Sequence, residues 1–230
     1  MSVDIIDYQI KGESLQLVEI VLDPEEGVRA EAGAMMYMEQ GIEMQTSTAG
    51  GALKGFKRML TGASFFITTF LNQGTSRATV AFAAPYPGQV ITLNLTELGG
   101  EFLCQSNSFL CAANGIEIEV AFTKKIGAGF FGGEGFILQK LQGNGLAFVH
   151  AGGTIIEKNL AAGEELRVDT GAVVGFSTSV KYDIQKVGGL KDMLFSGEGL
   201  FLTKLTGPGL VYLQSLPLSK LAQKIAPASV

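Results

Sequence analysis

Apolar and polar residues alternate in short runs along most of this chain, and glycine, proline or asparagine separates one run from the next. Segments such as Phe65-Phe66-Ile67-Thr68-Thr69-Phe70, Phe136-Ile137-Leu138-Gln139-Lys140-Leu141 and Val211-Tyr212-Leu213 have the composition and length of strands. Their spacing suits an all-β sandwich or barrel. In Val28-Arg29-Ala30, Phe102-Leu103-Cys104 and Leu166-Arg167-Val168 the period of two places Val28/Ala30, Phe102/Cys104 and Leu166/Val168 on one face.

The same order of markers occurs three times. The stretch at 61–74 returns in altered form at 132–145 and 196–209, anchored on Gly62, Gly133 and Gly197. Before each copy lies Glu31-Ala32-Gly33-Ala34-Met35, Gln105-Ser106-Asn107-Ser108-Phe109 or Asp169-Thr170-Gly171-Ala172-Val173. The central Gly33, Asn107 or Gly171 predicts a left-handed turn after the strand. Asn72-Gln73-Gly74, Gly143-Asn144-Gly145 and Gly207-Pro208-Gly209 fall between strand-like runs and predict tight hairpin turns, of type II where Pro precedes Gly. The expected architecture is all-β, with three tandem pseudo-repeats of short antiparallel strands and one or two short helices. The units are 1–84, 85–153 and 154–230, in one compact pseudo-threefold assembly whose sheet edges are completed by neighbours.

Two segments have helical periodicity. Leu53, Phe56 and Leu60 alternate with a basic side of Lys54, Lys57 and Arg58. Near the end, Leu218, Leu221 and Ile225 form an apolar stripe with Lys220 and Lys224 beside it and Pro227 beyond, which reads as a cap on the third unit.

Composition narrows the function. The chain has 230 residues, 47% hydrophobic and only 17% charged, with a mean hydropathy of +0.30. It can bury a sizeable core without disulfides or metal, and the surplus of apolar surface predicts self-association as a homo-oligomer. A net charge of −5 argues against a surface built to neutralise phosphates, so no nucleic acid is expected. The acidic start has no signal-peptide pattern, and no apolar run nears the roughly 20 residues of a membrane span, so a cytoplasmic location is expected. Cys104 and Cys111 match no metal-ligand spacing, and Cys104, aligned with Ala30 and Val168, reads as a small buried hydrophobe.

The chain lacks the parts of most common catalytic sites. Gly127-Ala128-Gly129-Phe130-Phe131-Gly132 fits a dinucleotide fingerprint literally, but it precedes a strand rather than a helix, and no acid follows at the required distance. The lone His150 excludes a two-histidine metal centre within one chain, and no nucleophile elbow accompanies it. It takes the place that Gln214 holds in the third unit and reads as a polar residue at a strand end. No catalytic set, metal or cofactor is expected. Glu134 and Glu198 occupy matched Gly-Glu-Gly positions, and with His150 they are the candidates for a ligand site between units or subunits. Lys54, Lys57 and Arg58 are the candidates for contact with an anionic membrane surface or an acidic partner. Three basic residues contribute only about 1 kcal/mol each near such a surface.

The order of Ala32-Gly33-Ala34-Met35, Gly51-Ala52-Leu53-Lys54, Gly62-Ala63-Ser64-Phe65-Phe66, Gly133-Glu134-Gly135-Phe136, Val168-Asp169-Thr170-Gly171, Phe195-Ser196-Gly197-Glu198-Gly199 and Gly207-Pro208-Gly209 resembles that of the bacterial relatives of the altered-inheritance-of-mitochondria (mitochondrial biogenesis) family. The resemblance runs from about Asp7 to Ser215. It implies units folded like the tryptophan RNA-binding attenuation protein, as β-sandwich or double-stranded β-helix units, and assembly into rings or trimers. It brings no activity with it. The basic triad of the first unit has no copy in the other two, so RNA binding does not follow from the fold. The expected function is a non-enzymatic, oligomeric scaffold or interaction module meeting a protein partner or a membrane surface; the alternative is a small-molecule binder.

Overall fold

A strand that alternates apolar and polar side chains buries one face, and here four antiparallel sheets bury theirs against one another. The computed structural model describes residues 3–45, 67–124, 136–187 and 200–225. The strands are β1 (Asp7–Lys11), β2 (Leu17–Leu22), β3 (Gly27–Glu31), β4 (Met35–Met38), β5 (Ile42–Gln45), β6 (Ile67–Asn72) and β7 (Ala78–Ala83). Then follow β8 (Gly88–Asn94), β9 (Glu101–Gln105), β10 (Phe109–Ala113), β11 (Glu117–Lys124), β12 (Phe136–Gln142) and β13 (Leu146–Gly152). The last are β14 (Ile155–Leu160), β15 (Glu165–Asp169), β16 (Val173–Ser177), β17 (Lys181–Val187), β18 (Leu200–Thr206) and β19 (Gly209–Gln214), before helix α1 (Leu218–Ile225).

The sheets run β1-β2-β7-β4, β5-β6-β3-β10-β13-β8, β11-β12-β9-β16-β19-β14 and β15-β18-β17. One pairing scheme recurs along the chain. β7 lies between β2 and β4 as β13 lies between β8 and β10 and β19 between β14 and β16. Likewise β6 lies between β3 and β5, β12 between β9 and β11, and β18 between β15 and β17. Ladders β4–β7, β10–β13 and β16–β19 even share a bulge, at Met35/Tyr37, Phe109/Cys111 and Val173/Gly175. The two six-stranded sheets arise where β10 joins β3 and β16 joins β9.

The core is layered accordingly. Phe70 of β6 meets Phe82 of β7 edge-on at 5.2 Å, across the first pair of sheets. Val28, Ala30, Phe102, Cys104, Cys111, Phe148 and Val149 belong to one continuous apolar cluster. Val168, Phe176, Leu205, Val211 and Leu213 form a second, between the last two sheets. Cys104 is fully buried, and desolvation pushes its thiol up to about 12.

Several expectations change at the turns. Asn72-Gln73-Gly74, Gly143-Asn144-Gly145 and Gly207-Pro208-Gly209 do not close hairpins, because β6 and β7, β12 and β13, and β18 and β19 belong to different sheets. Each turn instead carries the chain from one layer to the next. Gly33, Asn107 and Gly171 lie in right-handed 3-10 turns, with none at positive φ. At Gly171 the constraint is space: a Cβ there would come within 3.3 Å of Pro217 and 3.2 Å of the Ser219 hydroxyl. Helix α1 thus caps the last 3-10 turn, and Lys220 pairs with Asp169 at 2.7 Å. Ile225, expected in the apolar stripe, is 72% exposed and makes no part of that contact. The predicted basic helix lies outside the described residues.

Gln214 ties two of these layers together. Its Oε1 accepts from the Gly152 N–H at 2.8 Å, and its Nε2 donates to the Gly171 carbonyl at 3.0 Å. Gln214→Leu keeps the volume but orphans both buried backbone groups, so it should destabilise the protein by about 2 kcal/mol or more in chemical denaturation. A loss below about 0.5 kcal/mol would show that neither bond matters.

Candidate functional site

Of the candidate residues, only His150 falls among those described; Glu134, Glu198, Lys54, Lys57 and Arg58 lie outside them. His150 is not at a strand end. It sits inside β13, opposite Val90 of β8, and is 1% exposed. The run Leu146-Ala147-Phe148-Val149-His150-Ala151 lacks alternation, which is the mark of a strand covered on both faces. That signal was available in the sequence.

The surroundings of the imidazole are apolar and close. The Tyr86 ring stands edge-on to it, with centroids 4.6 Å apart. Gly88 leaves it room: a Cβ there would lie 2.5 Å from the imidazole Cε1 and Nε2 and 2.1 Å from the Ala151 carbonyl oxygen. Neither His150 nitrogen has a hydrogen-bond partner. Desolvation, with no carboxylate to offset it, pushes the imidazole down to about 4, and the same burial pushes the Tyr86 phenol up to about 12. His150 is therefore neutral at pH 7 and poorly placed to act as a base towards solvent.

His150 is not alone in lacking partners. Tyr86 Oη, Asn107 Oδ1, Ser108 Oγ and Gln139 Oε1 are buried without hydrogen bonds. Among the described residues, every buried side-chain polar atom left unpaired belongs to these four residues and His150. The 3-10 turn at Ser106–Ser108 packs against both β12, which carries Gln139, and β13, which carries His150. By contrast, Gln214, equivalent to His150 in the recurring ladder, uses both its polar ends. Burying unpaired polar atoms on five side chains costs stability that an apolar core would not forfeit.

The second feature is on the surface. Met36, Tyr37, Met38 and Met44 are 61%, 38%, 40% and 42% exposed, on neighbouring strands β4 and β5. Tyr37 donates to Glu19; Lys11, paired with Glu19 at 2.6 Å, and then this bond lower the Glu19 carboxyl, and the bond raises the phenol to about 12. The sequence reading passed over this patch, although Met35-Met36-Tyr37-Met38 has no polar position within it. Among the described residues no group of three His, Cys, Asp or Glu side chains is placed to hold a metal ion. No described helix is long and apolar enough to cross a membrane.

An all-β protein of layered antiparallel sheets, with unpaired buried polar groups and an exposed apolar edge, is thus defined. Residues 8–216 match the family described as mitochondrial biogenesis AIM24, and the chain belongs to that family. It is 29% identical over 214 residues to an uncharacterised protein of Streptococcus pyogenes serotype M6, covering 90% of this chain and 84% of that one. It is also similar to the crystal structure of a Streptococcus pyogenes protein solved by a structural genomics consortium. That similarity has a TM-score of 0.76 at 26% identity and covers 96% of this chain and 98% of the other.

The titration of His150 has a testable consequence. The unfolded chain takes up this proton near pH 6.5, the folded chain only near 4. Stability is therefore full above about pH 6.5 and falls between 6.5 and 4, by an amount on the order of 2 kcal/mol. His150→Leu should flatten this part of the pH profile of the denaturation midpoint. A variant with the slope of the parent would show that the imidazole is not desolvated.

Proposed function

We propose that this protein is a non-enzymatic scaffold that works as a cytoplasmic homo-oligomer, a trimer or ring, and presents its sheet surfaces to a protein partner or to a membrane. The observation that carries this reading is the exposed Met36, Tyr37, Met38 and Met44 patch. Adaptable methionines and a tyrosine on a strand edge have the chemistry of an interaction surface. The attenuation-protein-like arrangement belongs to the same reading, and the sheets shared between successive segments support it. In that arrangement Lys54, Lys57 and Arg58 add a basic face, and nucleic acid is disfavoured by the charge of −5.

A second reading, a small-molecule site between units, is favoured by the unpaired polar atoms around His150 and Tyr86. Thermal-shift measurements against metabolites and divalent metals separate the two. The scaffold reading expects no reproducible shift; a shift of several degrees that His150→Leu abolishes would replace it with ligand binding. Flotation with anionic vesicles tests the membrane arm: the Lys54/Lys57/Arg58 triple-alanine variant should float less than the parent, and equal recovery removes the membrane from the proposal.

A further inference from the structure

Four strands of the recurring scheme meet across segment boundaries, as β3 with β10 and β9 with β16. Their equivalents at the two ends of the series are β15 and β4, and among the described residues each of these pairs on one side only, β15 with β18 and β4 with β7. Among the described residues one edge of each kind is therefore open. We propose that β15 of one copy of this chain pairs antiparallel with β4 of a second copy, so that copies assemble head to tail. This deepens the scaffold reading above by naming the oligomer's contact.

The composition of the edges favours a second copy as the occupant. Three of the other edge strands carry charge: Glu117 and Glu119 on β11, Glu157 and Lys158 on β14, Lys181 and Asp183 on β17. Such residues discourage edge-to-edge pairing. β8, an edge without charge, is covered instead by the 14–16 segment, which bonds to it at Gly88 and Val90. β4 carries no charge, only Met35-Met36-Tyr37-Met38. At the matching positions of the two internal joints, Leu110, Cys111 and Ala112, and Val174 and Phe176, are buried. The apolar residues of β4 are those that such a joint covers. β15 carries Glu165, Arg167 and Asp169, but the internal strand β3 pairs on both sides with Arg29 and Glu31 at the places of Arg167 and Asp169, and Leu166-Arg167-Val168 stands where β3 has Val28-Arg29-Ala30.

The register follows from the internal joints. Cys111, Ala112 and Ala113 face Ala30, Arg29 and Val28; Gly175, Phe176 and Ser177 face Cys104, Leu103 and Phe102. The shared bulges align Tyr37 with Cys111 and Gly175. Tyr37 of one copy then faces Val168 of the next, Met38 faces Arg167, and Glu39 faces Leu166. One side-chain bond follows as well. Arg29 donates to the carbonyl of Ile116 across the β3–β10 joint at 2.8 Å. Arg167 is exposed on β15, and Ile42 follows the Gln40-Gly41 turn as Ile116 follows Asn114-Gly115. Arg167 thus reaches the Ile42 carbonyl of the neighbouring copy. Because the two edges differ, the contact is heterologous and closes into a ring or extends, according to its curvature.

Sedimentation equilibrium of the full chain tests both the oligomer and its contact. The expected mass is a multiple of 24.3 kDa. Met38→Lys, which sets a cation against Arg167, should weaken association roughly tenfold while circular dichroism stays that of the folded chain. Adding Arg167→Glu to it should restore association. In a second experiment, mixing Met38→Cys with Arg167→Cys should give a disulfide-linked pair under mild oxidation that neither variant gives alone. A single-chain mass for the parent overturns this contact and the oligomeric reading together. A multiple mass that ignores Met38→Lys, with no mixed disulfide, overturns the contact and leaves the oligomer standing. A chain with both cysteines that cross-links only within itself also overturns the proposal, since it places β15 on β4 of the same copy.

Discussion

The structure depends on main-chain pairing between β3 and β10 and between β9 and β16. A three-stranded sheet on its own leaves a bare edge that exposes backbone donors and acceptors. Joining two such sheets edge to edge satisfies those groups and doubles the apolar area offered to the next layer. Hence one apolar cluster extends from Ile20 and Phe82 through Phe148 to Phe102 and Val174 without a boundary. The successive segments share backbone ladders as well as packing, so they are expected to unfold together rather than as independent beads.

Equivalent positions in the recurring ladders show how differently a single place can be used. Ala83, His150 and Gln214 follow the same ladder position in β7, β13 and β19, next to Phe82, Val149 and Leu213. Alanine asks for no partner. Glutamine uses both ends to bind backbone groups of two layers. Histidine has neither nitrogen paired and responds by staying neutral. The middle copy is the one that concentrates unpaired polar groups, on Tyr86, Asn107, Ser108 and Gln139 as well as His150. A fold that satisfies this position in one copy and leaves it unpaired in another is under a different constraint in the second, and that asymmetry keeps the small-molecule reading in contention.

Much of the strand framework was legible because period-two burial is a local property. Val28/Ala30 and Phe102/Cys104 face inward as their alternation requires, and the burial of Cys104 followed from its alignment with Ala30. The turns were misread for a physical reason. Asn72-Gln73-Gly74 reverses the chain, and local composition reports the reversal but not whether the next strand returns to the same sheet. Which sheet β7 joins is decided by β2 and β4, partners distant in sequence. Gly171 failed in a related way: its lack of a side chain looked conformational, whereas it makes room for Pro217 and Ser219, which come much later in the chain. His150 was misplaced because alternation says nothing in a strand covered on both faces.

The two ends of the scheme are unlike, and that has a consequence for what the surface can do. An exposed edge can be protected by charge, as β11, β14 and β17 are, or covered by a partner. β4 has no charge within it, and Met36, Tyr37 and Met38 on it are exposed. A bare edge of this kind would otherwise invite non-specific pairing, which the chain's net charge of −5 opposes only weakly at the ionic strength of a cell. Specificity must then come from shape. The bulge after Met35 contributes, because the joints β3–β10 and β9–β16 begin only beyond it, at Cys111 and Gly175, so a strand paired to β4 in the same way starts at Tyr37. Among the described strands β15 alone has both the equivalent position and an open side, so the strand that fits beside β4 is the one whose counterparts already lie beside β10 and β16.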